Sequence, residues 1–173
     1  VGSEMCIRDS LNTALGARTL DANTTGSYNV AVGHKALTTA TTADENTAVG
    51  YTACHNTTTG HSNSALGTSA LQENSTGDYN CAFGASALRR CSEGNHNIAI
   101  GHAAGDHITT GEHNICIGRN CGTDITTGHS NVLMGYGAGA DLTSNSNVIL
   151  GRSCGNLIST GASHVAVSYT HLT

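Results

Sequence analysis

Asn97-Ile98-Ala99-Ile100-Gly101 is the stretch that decides the fold, because it stands midway between two near copies of itself. Asn80-Cys81-Ala82-Phe83-Gly84 precedes it and Asn114-Ile115-Cys116-Ile117-Gly118 follows it, both at an interval of seventeen. Extending outward, the same unit starts at Asn12, Asn29, Asn46, Asn63, Asn131 and Asn147, with a further partial unit at His164. The interval is constant along the chain except after Asn131, where it is shorter by one. A unit of that length is too short for a pair of helices and suits short strands joined by turns, so the repeat predicts a stacked solenoid.

Composition agrees with repetition. Trp and Pro are absent and Phe83 is the only Phe, which excludes a globular core built on aromatics. A chain of Gly, Ala, Thr, Asn and Ser buries enough surface only when neighbouring units stack regularly. The first ten residues (VGSEMCIRDS) and the last seven (167–173, VSYTHLT) read as translated sequencing-adapter sequence. Setting both aside leaves 11–166 as one repeat domain with six basic and ten acidic residues, a net charge of −4. That acidity speaks against a nucleic-acid partner, which needs a basic stripe.

Numbering columns from the Asn, column four is aliphatic or Phe in the nine units, from Leu15 to Leu150, and column two drifts from Thr13 to Val148. By the period-two rule these two share one strand face. Column three, between them, is Ala in six units and then Cys116, Leu133 and Ile149, so both faces are apolar. The expectation is that columns two and four fill the roll and that column three, on the outside, is covered by a neighbouring subunit. Column five is Gly in every unit: Gly16, Gly33, Gly50, Gly67, Gly84, Gly101, Gly118, Gly135 and Gly151. Either a positive φ or a close approach requires it. Column fifteen is Gly except for Ala43 and Asn145, which reads as a second, left-handed corner.

A second strand is expected near column eight, which is Ala or Cys in all units but the first. Beside it, column nine holds Leu20, Leu37, Leu71 and Leu88, then becomes Gly105, Gly122, Gly139 and Gly155. At the same point, near residue 97, column twelve becomes Ile108, Ile125, Leu142 and Ile158. Apart from the third unit, where column nine is Cys54, one large aliphatic per coil is kept and only its place changes, as conserved core volume demands. Stacking the column-one Asn residues predicts a side-chain amide ladder along a rod of about 43 Å, at about 4.8 Å per coil.

The chemical signals are sparse. Columns thirteen and fourteen are rich in hydroxyls (Thr41-Thr42, Thr58-Thr59, Thr109-Thr110), which suggests either an ice-binding array or turn hydroxyls capping the backbone. Adjacent threonines point to opposite faces, which favours capping. The cysteines replace Ala, Leu or Val with no CxxC among them and read as small buried hydrophobes. His96 and His113 occupy column seventeen in successive coils and are weak candidates for a shared metal, with surface histidine the plainer reading. Arg89-Arg90 with Glu93, and His34-Lys35, read as solvated charge clusters. No catalytic constellation and no cofactor signature breaks the columns.

The strings Asn29-Val30-Ala31-Val32-Gly33-His34-Lys35-Ala36-Leu37 and Thr58-Thr59-Gly60-His61-Ser62-Asn63-Ser64-Ala65-Leu66-Gly67 resemble the head repeats of trimeric autotransporter adhesins. They are closer still to variants of the same unit length in phage tail-fibre-like proteins that end in a self-cleaving chaperone domain. The adhesin core is Ser-Val-Ala-Ile-Gly in a shorter unit. The resemblance spans 11–166 and implies a left-handed parallel β-roll that trimerises about its long axis. It implies a fibre segment on a cell surface, outer membrane or virion that displays a binding surface to a receptor or glycan, with no direct membrane contact. An ice-binding solenoid is the alternative, and an enzyme is not expected.

Overall fold

The computed structural model describes residues 11–156, 158 and 162–168. Ten three-residue strands follow in chain order: β1 (Thr13–Leu15), β2 (Val30–Val32), β3 (Thr47–Val49), β4 (Ser64–Leu66), β5 (Cys81–Phe83), β6 (Ile98–Ile100), β7 (Ile115–Ile117), β8 (Val132–Met134), β9 (Val148–Leu150) and β10 (Val165–Val167). They form one sheet in which each strand pairs with the next in sequence. Pairing is parallel and in repeat register, so that Ala82 faces Ala99 and Ala99 faces Cys116. The result is an all-β parallel solenoid of about nine turns. Of the stretches set aside in sequence, 1–10 and 169–173 lie outside the described residues. Val167, by contrast, closes β10, and Ser168 donates its N–H to the Leu150 carbonyl at 2.8 Å.

Column one ties each coil to the next. Asn97 donates its backbone N–H (3.0 Å) and its Nδ2 (3.2 Å) to Oδ1 of Asn80, and Nδ2 also donates to the Gly111 carbonyl at 2.8 Å. The same three bonds recur from Asn29 to Asn114 along the stack. The nine asparagines are buried, so each bond replaces water and loss of one side chain strands donors at about 1–3 kcal/mol.

The strands face the opposite way from the sequence expectation. Column three points inward and is fully buried, as at Ala31, Ala82 and Leu133, whereas Ile98 and Ile100 remain 37% and 39% exposed. The reason is volume. Columns eight, nine and twelve also point inward, and Leu37, Leu71, Leu88, Ile108, Ile125 and Leu142 already occupy the small interior. Beside them column three has room for Ala, and it enlarges to Leu133 and Ile149 only where Gly139 and Gly155 leave space; a Cβ on those glycines would meet Leu133 at 3.1 Å and Ile149 at 2.5 Å. At native packing density columns two and four are therefore turned out.

The expected second strand does not form. Lys35 and Leu37, in columns seven and nine, have φ of 59° and 48°, which no strand accommodates. Their segment nonetheless bonds across coils, with Leu37 N–H to Ala53 O at 3.1 Å and Thr39 N–H to His55 O at 3.2 Å. The left-handed backbone also explains the switch near residue 97. Leu88 holds φ 48°, at a cost of roughly 1–2 kcal/mol. Gly105 takes φ 60° freely, and a Cβ there would meet Ile108 Cδ1 and Leu88 Cδ2, each at 3.0 Å. The aliphatic thus moves to column twelve, where the backbone is relaxed.

Column fifteen is corrected as well. Its glycines do not have positive φ; a Cβ on Gly60 would stand 2.5 Å from the Gly77 carbonyl oxygen, so close stacking sets the preference. The left-handed corner is column seventeen, as at Tyr79 (φ 57°) and His96 (φ 56°). Asn145 is not the corner residue either. The one-residue deletion puts Ser144 in the column-fifteen slot, where its carbonyl accepts from Asn131 Nδ2 at 2.9 Å. Asn145 Oδ1 accepts from His129 N–H at 2.8 Å, the role Asp78 plays for His61 at 2.7 Å.

Two expected outcomes follow from these backbones. At Gly84 (φ 137°) a Cβ would lie 2.5 Å from the Gly101 carbonyl oxygen, whereas at Gly137 (φ 61°) the nearest atom is Ser153 Oγ at 3.7 Å. Gly84→Ala should cost at least about 2 kcal/mol in denaturant unfolding and Gly137→Ala about 1 kcal/mol or less. Equal costs would contradict the close approach. Gly105→Leu alone should overpack the interior by about 1–3 kcal/mol, and adding Ile108→Ala should recover most of it.

Candidate functional site

Each strand turns two side chains outward, and in parallel register these align into two columns running the length of the sheet. Leu15, Val30, Leu66, Phe83, Ile98, Ile100 and Met134 are exposed large hydrophobics on this face. Between them the backbone pairs with the neighbouring strands, and among the described residues the hydroxyl side chains on this face are Thr13, Thr47 and Ser64, near its N-terminal end. A continuous apolar stripe of this kind is the candidate interaction surface of the chain.

Rings line the two edges of that face. On the side where the chain enters the strands, Tyr79, His96 and His113 of column seventeen stack at centroid distances of 4.9 and 5.0 Å, within 16° of parallel. The His96 and His113 rings are plates in one pile. Two nitrogens on one zinc stand at most about 4.2 Å apart, each about 2.1 Å from the metal, and near-parallel rings 5.0 Å apart direct their in-plane nitrogens side by side rather than toward one point. Among the described residues no group of three or more His, Cys, Asp or Glu is placed to hold a metal ion. On the exit side, His34 stacks on Tyr51 at 5.5 Å, and the guanidinium groups of Arg119 and Arg152 lie 5.8 and 5.5 Å from the Tyr136 ring, one from the coil before and one from the coil after.

The remaining sequence candidates resolve into structural roles. Column-thirteen hydroxyls bond the carbonyl of the next coil: Thr41 to Thr58 at 3.1 Å, Thr58 to Ser75 at 3.0 Å, Ser75 to Ser92 at 2.9 Å. They are occupied by backbone, leaving column fourteen as a single row that Glu93 interrupts. Arg89 pairs not with Glu93 but with Asp106 of the next coil, through Nε at 2.8 Å and Nη2 at 2.9 Å. His107 sits 3.4 Å from Asp106 and bonds Asp124 at 2.9 Å, so a charged chain staples three coils across the subtype switch. The Asp106 hydrogen bond raises the Arg89 pKa.

Cys54, Cys91, Cys116 and Cys121 are buried. One relation escaped the sequence: Cys116 and Cys121, in columns three and eight of one coil, meet inside it. The hydrogen bond to Cys121, then burial, raises the Cys116 thiol pKa, and Cys121 itself bonds the Leu133 carbonyl at 3.2 Å. Columns three and eight face each other across the coil, a contact that spacing along the chain does not reveal.

Compared with protein-family models, with curated proteins and with solved structures, the chain matches none. No helix among the described residues is long and apolar enough to cross a membrane.

Burial pushes the Cys54 and Cys91 thiols up to about 12 from 9.0. The unfolded chain therefore loses these protons near pH 9 while the folded chain keeps them. Their contribution is fully present below pH 9 and is lost as pH rises toward 12, each thiol costing up to about 1.4 kcal/mol per pH unit. Melting temperature should fall across pH 9–12, and Cys54→Ala and Cys91→Ala should each flatten that fall. A slope unchanged in both variants would show that these thiols ionise in the folded state.

Proposed function

We propose that this chain is a rigid structural and adhesive segment of a surface fibre, on a cell envelope or a virion, which associates as a homotrimer with its apolar sheet faces turned toward a shared axis. The observation that carries the reading is the outward display of columns two and four. Burying a side chain such as Ile100 or Phe83 between subunits gains about 1.5–3 kcal/mol relative to leaving it wet. A parallel array repeats that gain in every coil. Three protomers around a long axis bury the stripe on each without leaving an open edge, as closed cyclic symmetry requires.

Such a rod functions by geometry. The turns left outside, with their recurring histidines, threonines and carboxylates, present similar groups at the same place in successive coils. Weak contacts to a surface receptor or glycan are multiplied by repetition along the rod and by threefold valency. No reaction is part of this proposal.

Light scattering should give three times the chain mass for the wild type. Ile98→Lys with Ile100→Lys, both on the outer face of β6, should yield a monomer with an unchanged circular dichroism spectrum. Ala99→Leu, between them but inward, should instead lower the melting temperature. A wild type that stays monomeric at high concentration would sink the reading.

A further inference from the structure

Coil seven is the one coil in which columns three and eight both hold cysteine. In coils two to six both columns are Ala, as at Ala82 and Ala87, and Cys154 in column eight of coil nine shares its coil with Ile149 in column three. Cys116 and Cys121 therefore enter as a pair, at two columns that face each other across the coil although four residues separate them along the chain.

The column-three side chain spans the interior. A Cβ on Gly122 would stand 2.8 Å from Cys116 Sγ, so this sulfur reaches the opposite wall at the residue next to Cys121. The same reach recurs in the following coils, where a Cβ on Gly139 would meet Leu133 Cδ1 at 3.1 Å and one on Gly155 would meet Ile149 Cδ1 at 2.5 Å. Cys121 points inward as well, since its Sγ donates to the Leu133 carbonyl of the next coil at 3.2 Å. The two thiols are hydrogen-bonded to each other, and both residues are 0% exposed. Sulfurs in contact across the coil, on backbones that the stack holds fixed, are placed to close an Sγ–Sγ bond.

We propose that Cys116 and Cys121 form an intracoil disulfide that clips β7 to the facing wall, with a small-molecule disulfide such as oxidised glutathione as the oxidant. The step is thiol–disulfide exchange. The thiolate of one cysteine attacks a sulfur of the oxidant, expels one thiolate and leaves a mixed disulfide; the other cysteine then attacks the protein sulfur and expels the second. One Sγ–Sγ bond forms and the oxidant's S–S bond breaks. Two electrons pass from the cysteines to the oxidant, and both thiol protons end on the two thiols it releases. Timing follows from burial. The hydrogen bond to Cys121, then burial, holds the Cys116 thiol above its ordinary value, and the thiolate is the reacting species. Exchange therefore precedes closure of the coil, and closure then shields the bond from reductant. The bridge restricts 117–120 in the unfolded chain and holds β7 against local opening. It forms in an oxidising compartment and is independent of self-association.

To test this, the reduced, denatured chain is refolded in a mixture of reduced and oxidised glutathione, with circular dichroism to confirm the fold. It is then alkylated in denaturant and digested with trypsin without reduction. Cleavage after Arg119 leaves Cys116 and Cys121 on separate peptides. The expected product is a linked pair, lighter by two hydrogens than the two free peptides together, which reductant separates. Cys116→Ala and Cys121→Ala should each abolish the link and still fold, because Ala occupies both columns in coils two to six. The oxidised wild type should melt a few degrees above the same protein in reductant, a difference absent from both variants. Folded wild type in which both cysteines are alkylated overturns the proposal and leaves the pair as space-filling side chains. Cys91 lies on the same peptide as Cys116, so a link that persists in Cys116→Ala also overturns it and assigns the bond to Cys91.

Discussion

Nine coils of this molecule are each positioned by one buried side chain, the column-one asparagine. Its Oδ1 takes two donors from the next coil and its Nδ2 closes on a carbonyl of the turn that leads there. Three orphaned polar groups are thereby satisfied by one residue in a place water does not reach. Hydrophobic burial alone would not fix the register, because columns of Ala slide past one another with little change in contact. The asparagine makes a one-residue slip expensive: it breaks the ladder at that level and turns the large apolar columns inward.

With the register fixed, the narrow interior dictates the rest. Each coil but the third, which has Cys54 and Thr57 in these places, holds one large aliphatic opposite the strand, from column nine at the cost of a left-handed Leu or from column twelve beside a Gly. Both solutions occur in this chain and join at coil six without a break in the sheet. The Arg89–Asp106–His107–Asp124 chain crosses that junction, tying coils whose interior packing differs on either side. Because the interior is full, the strand can accommodate its two flanking large residues only by turning them outward. The exposed apolar face is thus a consequence of core volume.

Much of this was legible in the repeat. Unit length, coil count, the parallel stack, the asparagine ladder and the exchange between columns nine and twelve all follow from column composition. What was not legible is orientation. Period-two alternation says that Ile98 and Ile100 share a face and Ala99 takes the other; it does not say which faces in, and ranking by size chose wrongly. Leu37 and Leu88 concealed the left-handed backbone that ended the expected second strand, since Leu carries no signal for positive φ. Cys116 and Cys121 meet across the coil, a relation that depends on cross-section. Of the candidate surface, the apolar columns were visible and their outward display was not.

In the proposed assembly, charge columns bear on a problem that stacked repeats create for themselves. Near-identical units offer many nearly equivalent offsets to a partner, each burying similar apolar area, so a face made only of Ile, Val and Leu would bind another copy in several registers. Lys35, Arg119 and Arg152 on one edge of the face and Glu45, Asp78 and Glu112 on the other stand at particular heights, so those offsets do not all bring the same charges together. They sit outside the packed interior, so they can vary from coil to coil without disturbing the asparagine ladder or the aliphatic column. The column-one Asn and column-five Gly are the same in all nine units, whereas columns six, seven, sixteen and seventeen change from coil to coil.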